Sequence, residues 1–178
     1  MLKIFPKIES LNQKIMASFD IVNKTDPQKV DNAINVAKKE LVNRYDLKAE
    51  ECEIEFDKKN NLIKLSAKQD MALQSMVDII LGKFSKQQLD VRILDLTKES
   101  RPSGKLVLLD LPVKDGIEKE TAKKIVQFVK ETKLKVQASI MDDQVRITSK
   151  SLDELQATMG KIRAHDFELP LQFDNMRS

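Results

Sequence analysis

Apolar residues along this chain follow two alternating periods, and the order of those periods is set out twice. Phe19 to Val22 reads as a short strand, and Asp26-Pro27 then supplies an N-cap and a first-turn proline. Val30, Ala33, Ile34, Ala37 and Leu41 follow at the spacing of one helix face, predicting a helix that ends near Tyr45. Glu53-Ile54-Glu55-Phe56-Asp57 alternates strictly, and Asn60-Asn61 is a turn before Leu62–Ala67, which together predict a hairpin. A second helix, with Asp70 as its candidate cap, carries Leu73, Met76, Val77, Ile80 and Phe84 on one face. Leu89 to Leu94 is expected to close the unit as a strand.

The same order then returns. Ser100, Pro102, Ser103 and Gly104 make Thr97–Gly104 the candidate linker. Lys105–Val113 is the next expected strand. Asp115 with Glu118 resembles a capping box for a helix bearing Ala122, Ile125, Val126 and Val129. Lys135–Ile140 and Val145–Thr148 predict a hairpin around Asp142-Asp143, and Ser151 with Glu154 repeats the capping pattern ahead of Leu152, Leu155, Met159 and Ile162. Leu169–Phe173 is the last expected strand. Ala37-Lys38-Lys39 lies about 85 residues before Ala122-Lys123-Lys124, and Leu73-Gln74 finds its counterpart in Leu155-Gln156, as duplication of one unit requires.

Each half therefore reads βαββαβ, the ferredoxin-like arrangement. The predicted fold is α+β: a tandem of two such domains, each a four-stranded antiparallel sheet with two helices on one face and the other face open. The expected units are 17–98 and 99–178. The short first strand leaves open whether the units fold separately or exchange a strand. Residues 1–16 stand outside the repeat and are expected to be a disordered arm or a stretch upstream of the true start. Lys3, Lys7 and Glu9 interrupt their apolar residues, which argues against a signal peptide.

Composition narrows the function classes. No apolar run approaches the ~20 residues a membrane span needs. The single Cys52 leaves no internal disulfide, which fits a reducing cytoplasm. Net charge is only +3, too little for dense phosphate neutralisation along a duplex. With four glycines there is neither a GxxxxGK[ST] loop nor GxGxxG, which speaks against an ATPase or a dehydrogenase. No His/Cys/Asp/Glu spacing matches a structural zinc site. His165, the only histidine, reads as a capping contact near a helix end. A non-enzymatic protein without a cofactor is expected.

The open sheet faces are where binding should be sought. Alternation turns Val136, Ala138, Ile140, Val145 and Ile147 towards the helices. Lys135, Gln137, Ser139, Arg146 and Thr148 are left on the open face of the second unit, two cations with three hydrogen-bonding side chains. Arginine grips phosphate bidentately and stacks on bases, which suits a nucleotide. Polar residues there also serve solubility alone. The first unit presents Glu53, Glu55 and Asp57 instead, which repel phosphate. Phe56 is expected to face inward, so the base-stacking aromatics of an RNA-recognition module are missing. Arg44-Tyr45 at the end of the first helix is the second candidate site.

Ser18-Phe19-Asp20-Ile21-Val22, Arg44-Tyr45-Asp46, Lys135 to Ile140, Asp143 to Arg146 and Pro170-Leu171-Gln172-Phe173 together resemble the bacterial YajQ family, from about Ala17 to Arg177. Family members typically begin just before the Ser-Phe-Asp-Ile segment, which would make Met16 a natural start. The resemblance implies a tandem of ribonucleoprotein-like domains in a cytoplasmic, nucleotide-binding protein. The implied ligand is a purine nucleotide such as GTP or ATP, or cyclic di-GMP, with regulation of transcription through a partner. The alternatives it leaves are RNA or transfer-RNA binding, and a protein-interaction module with incidental nucleotide binding. Leu47 and Ala49 replace an aromatic and a glycine common in the family. Asp142 and Ser149 stand where glycines are common, and Asp174 where asparagine is frequent.

Overall fold

The computed structural model describes residues 16–178; the expectation for residues 1–15 lies outside the described residues. Strand β1 (Ala17–Val22) leads to helix α1 (Pro27–Asn43), the hairpin β2 (Glu53–Asp57) and β3 (Leu62–Ala67), and helix α2 (Asp70–Lys86). A second hairpin, β4 (Arg101–Ser103) and β5 (Leu106–Pro112), precedes α3 (Lys119–Glu131), β6 (Gln137–Met141), β7 (Gln144–Ser149), α4 (Leu152–Ala164) and β8 (Gln172–Arg177). The strands form two four-stranded antiparallel sheets, ordered β6-β7-β1-β8 and β2-β3-β5-β4. This is the tandem ferredoxin-like α+β fold that the repeat predicts.

The first strand of each repeat lies in the sheet of the other. β1 sits between β7 and β8, and β5 sits between β3 and β4. Divided at 98/99, the first half thus gives β1 to the other's sheet, and the second half gives β5 together with the short β4. The crossing segments run side by side. Asn23 is buried, its side-chain amide donates to the carbonyls of Lys114 and Gly116, and its own carbonyl accepts the Gly116 N–H at 2.6 Å. Thr25 donates its hydroxyl to the Lys114 carbonyl and its N–H to the Asp115 carboxylate. Gly116 has φ +84, and a Cβ there would lie 2.9 Å from the Cβ of Asp143, so this position needs glycine on both counts.

Two cores follow. Val30, Ala33, Ile34, Ala37 and Leu41 of α1 pack with Leu73, Met76, Ile80 and Phe84 of α2 on Ile54, Ile63, Leu65 and Leu111. Ala122, Ile125 and Val129 of α3, with Leu155, Met159 and Ile162 of α4, cover Phe19, Ile21, Val145 and Ile147. Asp26 caps α1 by accepting from the N–H groups of Gln28 and Lys29, as its sequence predicts. Ser151 caps α4 through the Glu154 N–H.

Several local expectations are corrected. Leu89–Leu94 is not a strand but contains a 3₁₀ turn, Val91–Ile93, because Asp90 accepts the Arg92 N–H and pairs with its guanidinium. The expected linker Thr97–Gly104 instead holds β4, folded back on β5 through Gly104 at φ +62. Asp115 forms no capping box with Glu118, since its carboxylate takes the Thr25 N–H, and Glu118 caps α3 without a side-chain bond. The last strand starts three residues later than Leu169, which is itself buried in the core. Ile140 points towards the helix side, yet 42% of it is exposed because β6 is an edge strand.

Candidate functional site

Cross-strand register assembles the open face of the β6-β7-β1-β8 sheet. Gln137 stands opposite Thr148, and Thr148 opposite Ser18, which is paired in turn with Arg177 of β8. One step along, Ser139 stands opposite Arg146, Arg146 opposite Asp20, and Asp20 opposite Asp174. Four of the predicted residues, Gln137, Ser139, Arg146 and Thr148, therefore share one surface. Lys135 is exposed just before β6; its N–H donates to Glu154 and its carbonyl accepts the hydroxyl of the buried Ser149.

Sequence reasoning missed the partner of Arg146. Its Nε and Nη2 donate to the two oxygens of Asp20 at 2.7 and 3.0 Å, and Asn175 adds a third hydrogen bond at 2.9 Å. Asp20 is only 1% exposed although it lies on the open side, because these groups cover it. The Arg146 hydrogen bond holds the Asp20 carboxyl below its usual 3.8, against burial, with Asn175 assisting. The same pairing raises the Arg146 value. Asn175 sits at a register shift between β1 and β8, with φ +52, which turns its amide onto Asp20. The signal was present as a lone acid in Ser-Phe-Asp-Ile-Val, but naming its partner needs a pairing 126 residues apart.

A phosphate therefore meets Arg146 with one guanidinium edge already engaged. Arg177, exposed in the adjacent row, and Lys135 offer cations outside this pair, while Lys24 closes onto Asp174. Phe19 and Phe173 face the helices, where their rings meet edge-on at 5.5 Å and Arg163 lies over Phe173. The open face offers hydrogen bonds and charge rather than a stacking platform.

The second candidate does not join the first. Arg44 ends α1 in the other lobe and pairs with Asp46 at 2.7 and 2.8 Å; Tyr45 is exposed, with the Lys48 ammonium 4.5 Å from its ring centre. His165 ends α4 and lies between Phe128 and Phe167, each with ring centres 4.4 Å away. Burial raises the Cys52 thiol, which lowers its reactivity. Among the described residues no group of His, Cys, Asp and Glu is placed to hold a metal ion, and no helix is long and apolar enough to cross a membrane.

Residues 17–177 match the family described as Nucleotide-binding protein YajQ-like. A protein of Cytophaga hutchinsonii, named as a nucleotide-binding protein, is 44% identical over 91% of this chain and 100% of its own length. A nucleotide-binding protein of Oleidesulfovibrio alaskensis is 45% identical over 92% of this chain and 100% of its own length. One of Chloroherpeton thalassium is 47% identical over 90% and 97%.

Proposed function

The chain belongs to the YajQ-like family, and on that premise we propose that it binds a nucleotide-type ligand on the open face of the β6-β7-β1-β8 sheet without converting it. The carrying observation is the row Gln137–Thr148–Ser18–Arg177 beside Ser139–Arg146–Asp20, in which hydrogen-bonding side chains surround the guanidinium paired with Asp20 and the exposed one of Arg177. Relatives matched over nearly their whole length carry the name nucleotide-binding protein, which supports a ligand of this class. The ligand is a purine nucleotide or cyclic di-GMP, and its binding regulates transcription through a protein partner. Family members are named for binding rather than for a reaction, which agrees with a non-catalytic role. The sparse aromatic content of the face makes single-stranded RNA the less favoured occupant.

Isothermal titration of the full chain with cyclic di-GMP, GTP and ATP tests this reading. Saturable binding of one of them, weakened at least about tenfold, or about 1.4 kcal/mol, by Arg177→Ala or Gln137→Ala, is expected. Glu55→Gln, on the other sheet, leaves it unchanged. Silence from all three ligands overturns the reading, as does binding that neither variant touches. Arg146→Ala is the poorer probe, because it also strands Asp20.

A further inference from the structure

Two open sheets have four edge strands, and three of them carry devices that block pairing with another chain. β2 is Glu53-Ile54-Glu55-Phe56-Asp57, acidic at alternate positions. β4 is three residues long and contains Pro102, which lacks an N–H. β8 is bent by its register shift at Asn175 and bears Asp174 and Arg177. Short length, charge, proline and bulges are the usual protections of an edge.

β6 has none of them. It is Gln137-Ala138-Ser139-Ile140-Met141, five uncharged residues in regular register with β7, and Ile140 and Met141 are exposed. The turn Asp142-Asp143 closes on the Met141–Gln144 pair, so that pair exchanges its backbone hydrogen bonds. Alternation then commits Ser139 and Gln137 to β7 as well. Ala138 and Ile140 direct their N–H and C=O groups outward, and among the described residues nothing receives them.

The strand is also complementary to itself. In an antiparallel pairing centred on Ser139, Ala138 stands opposite the partner's Ile140 and Gln137 opposite the partner's Met141. Both Ala138–Ile140 pairs are then doubly hydrogen-bonded, which satisfies all four outward donors and acceptors. The small side chain of Ala138 leaves room for the exposed Ile140. The same operation on β2 would stack glutamate and aspartate on one another.

We propose that β6 is a homodimerisation edge, through which two copies of this chain join their β6-β7-β1-β8 sheets into one continuous eight-stranded sheet. A five-residue seam buries little area, so the dimer is a weak, concentration-dependent one. The helix-covered face and the open face both continue across the two-fold.

The test is sedimentation equilibrium of the full chain between about 10 μM and about 1 mM, the range in which an interface of this size associates. Amide hydrogen exchange is read at both ends of that range. A mass rising from monomer to dimer is expected, with the Ala138 and Ile140 amides slowing as it rises and the β2 amides unchanged. Ile140→Lys raises the dissociation constant at least about tenfold, equivalent to about 1.4 kcal/mol. Ala138→Pro removes an outward N–H without removing a bond to β7 and has the same effect, which guards against a folding defect in the first variant. The proposal is overturned by a monomer at every concentration. A dimer whose Ala138 and Ile140 amides exchange as before, or one indifferent to both variants, overturns it equally.

Discussion

The two open sheet faces are built to one plan and carry opposite chemistry. Each has an arginine–aspartate pair across neighbouring strands, Arg146 with Asp20 and Arg101 with Asp110. On the β2-β3-β5-β4 sheet the surroundings are acidic: Glu53, Glu55, Asp57 and Asp110 against Lys64 and Arg101. On the β6-β7-β1-β8 sheet Arg146, Arg177, Lys24 and Lys135 stand against Asp20 and Asp174. The pairs differ in burial too. Asp20 is 1% exposed, whereas the side chains of Arg101 and Asp110 are 60% and 29% exposed. The duplicated fold keeps the aspartate on the equivalent central strand, β1 or β5, but its arginine comes from opposite sides, β7 in one sheet and β4 in the other, and burial decided whether the pair holds the sheet together or decorates it.

The difference is sharpest when each arginine is removed. Arg146→Ala leaves the buried Asp20 carboxylate with Asn175 as its remaining side-chain hydrogen-bond donor, and this loss is expected to be the largest of the series. Denaturant unfolding monitored in the β6-β7-β1-β8 lobe should show that loss. Equal losses for Arg146→Ala and Arg101→Ala would erase the distinction between the faces.

Asp20→Asn comes next, with an effect that depends on pH. The folded value of Asp20 is depressed, so its stabilisation is complete above the unfolded value and is lost as pH falls through the folded one. The thermal midpoint of the natural protein should therefore fall as pH drops below about 4, and Asp20→Asn should flatten that limb. A variant with an unchanged acid limb would mean that Asp20 does not carry it.

Gly116→Ala strains the crossover that both lobes share. The left-handed φ and the contact with Asp143 together cost about 1–2 kcal/mol, and both lobes should lose stability in step because the crossing segments are tied through Asn23. Loss confined to one lobe would show that the lobes unfold independently.

Smallest is Arg101→Ala. An exposed pair contributes at most about 1 kcal/mol, further reduced by salt, so chemical denaturation should move little.

Much of the architecture was legible. The stripe Val30, Ala33, Ile34, Ala37 and Leu41 is the buried face of α1, and the Asp26-Pro27 cap stands where the sequence puts it. The alternation Glu53 to Asp57 divides into exposed and inward residues as expected, because a side chain's face on a strand follows from its parity alone. Gln137, Ser139, Arg146 and Thr148 were grouped correctly for the same reason. Leu89–Leu94 misled because its apolar residues are buried in a 3₁₀ turn, where hydrophobicity without regular pairing imitates a strand. Thr97–Gly104 reads as a linker because the turn residues and proline clustered there, Ser100, Pro102, Ser103 and Gly104, are also what a short edge strand and its turn tolerate.

By itself the sequence determined the periods: which segments are helices, which strands alternate, and that one βαββαβ unit is stated twice. Those properties depend on neighbours within a turn or a pleat, and such neighbours are adjacent in the chain. Only the tertiary structure decided that β1 and β5 trade places, that Arg146 is engaged by Asp20, and that β6 is left as an unguarded edge. Each of these depends on which distant strand supplies the next hydrogen-bonding partner. Local periodicity carries no record of that choice, because any strand of the right parity offers the same ladder.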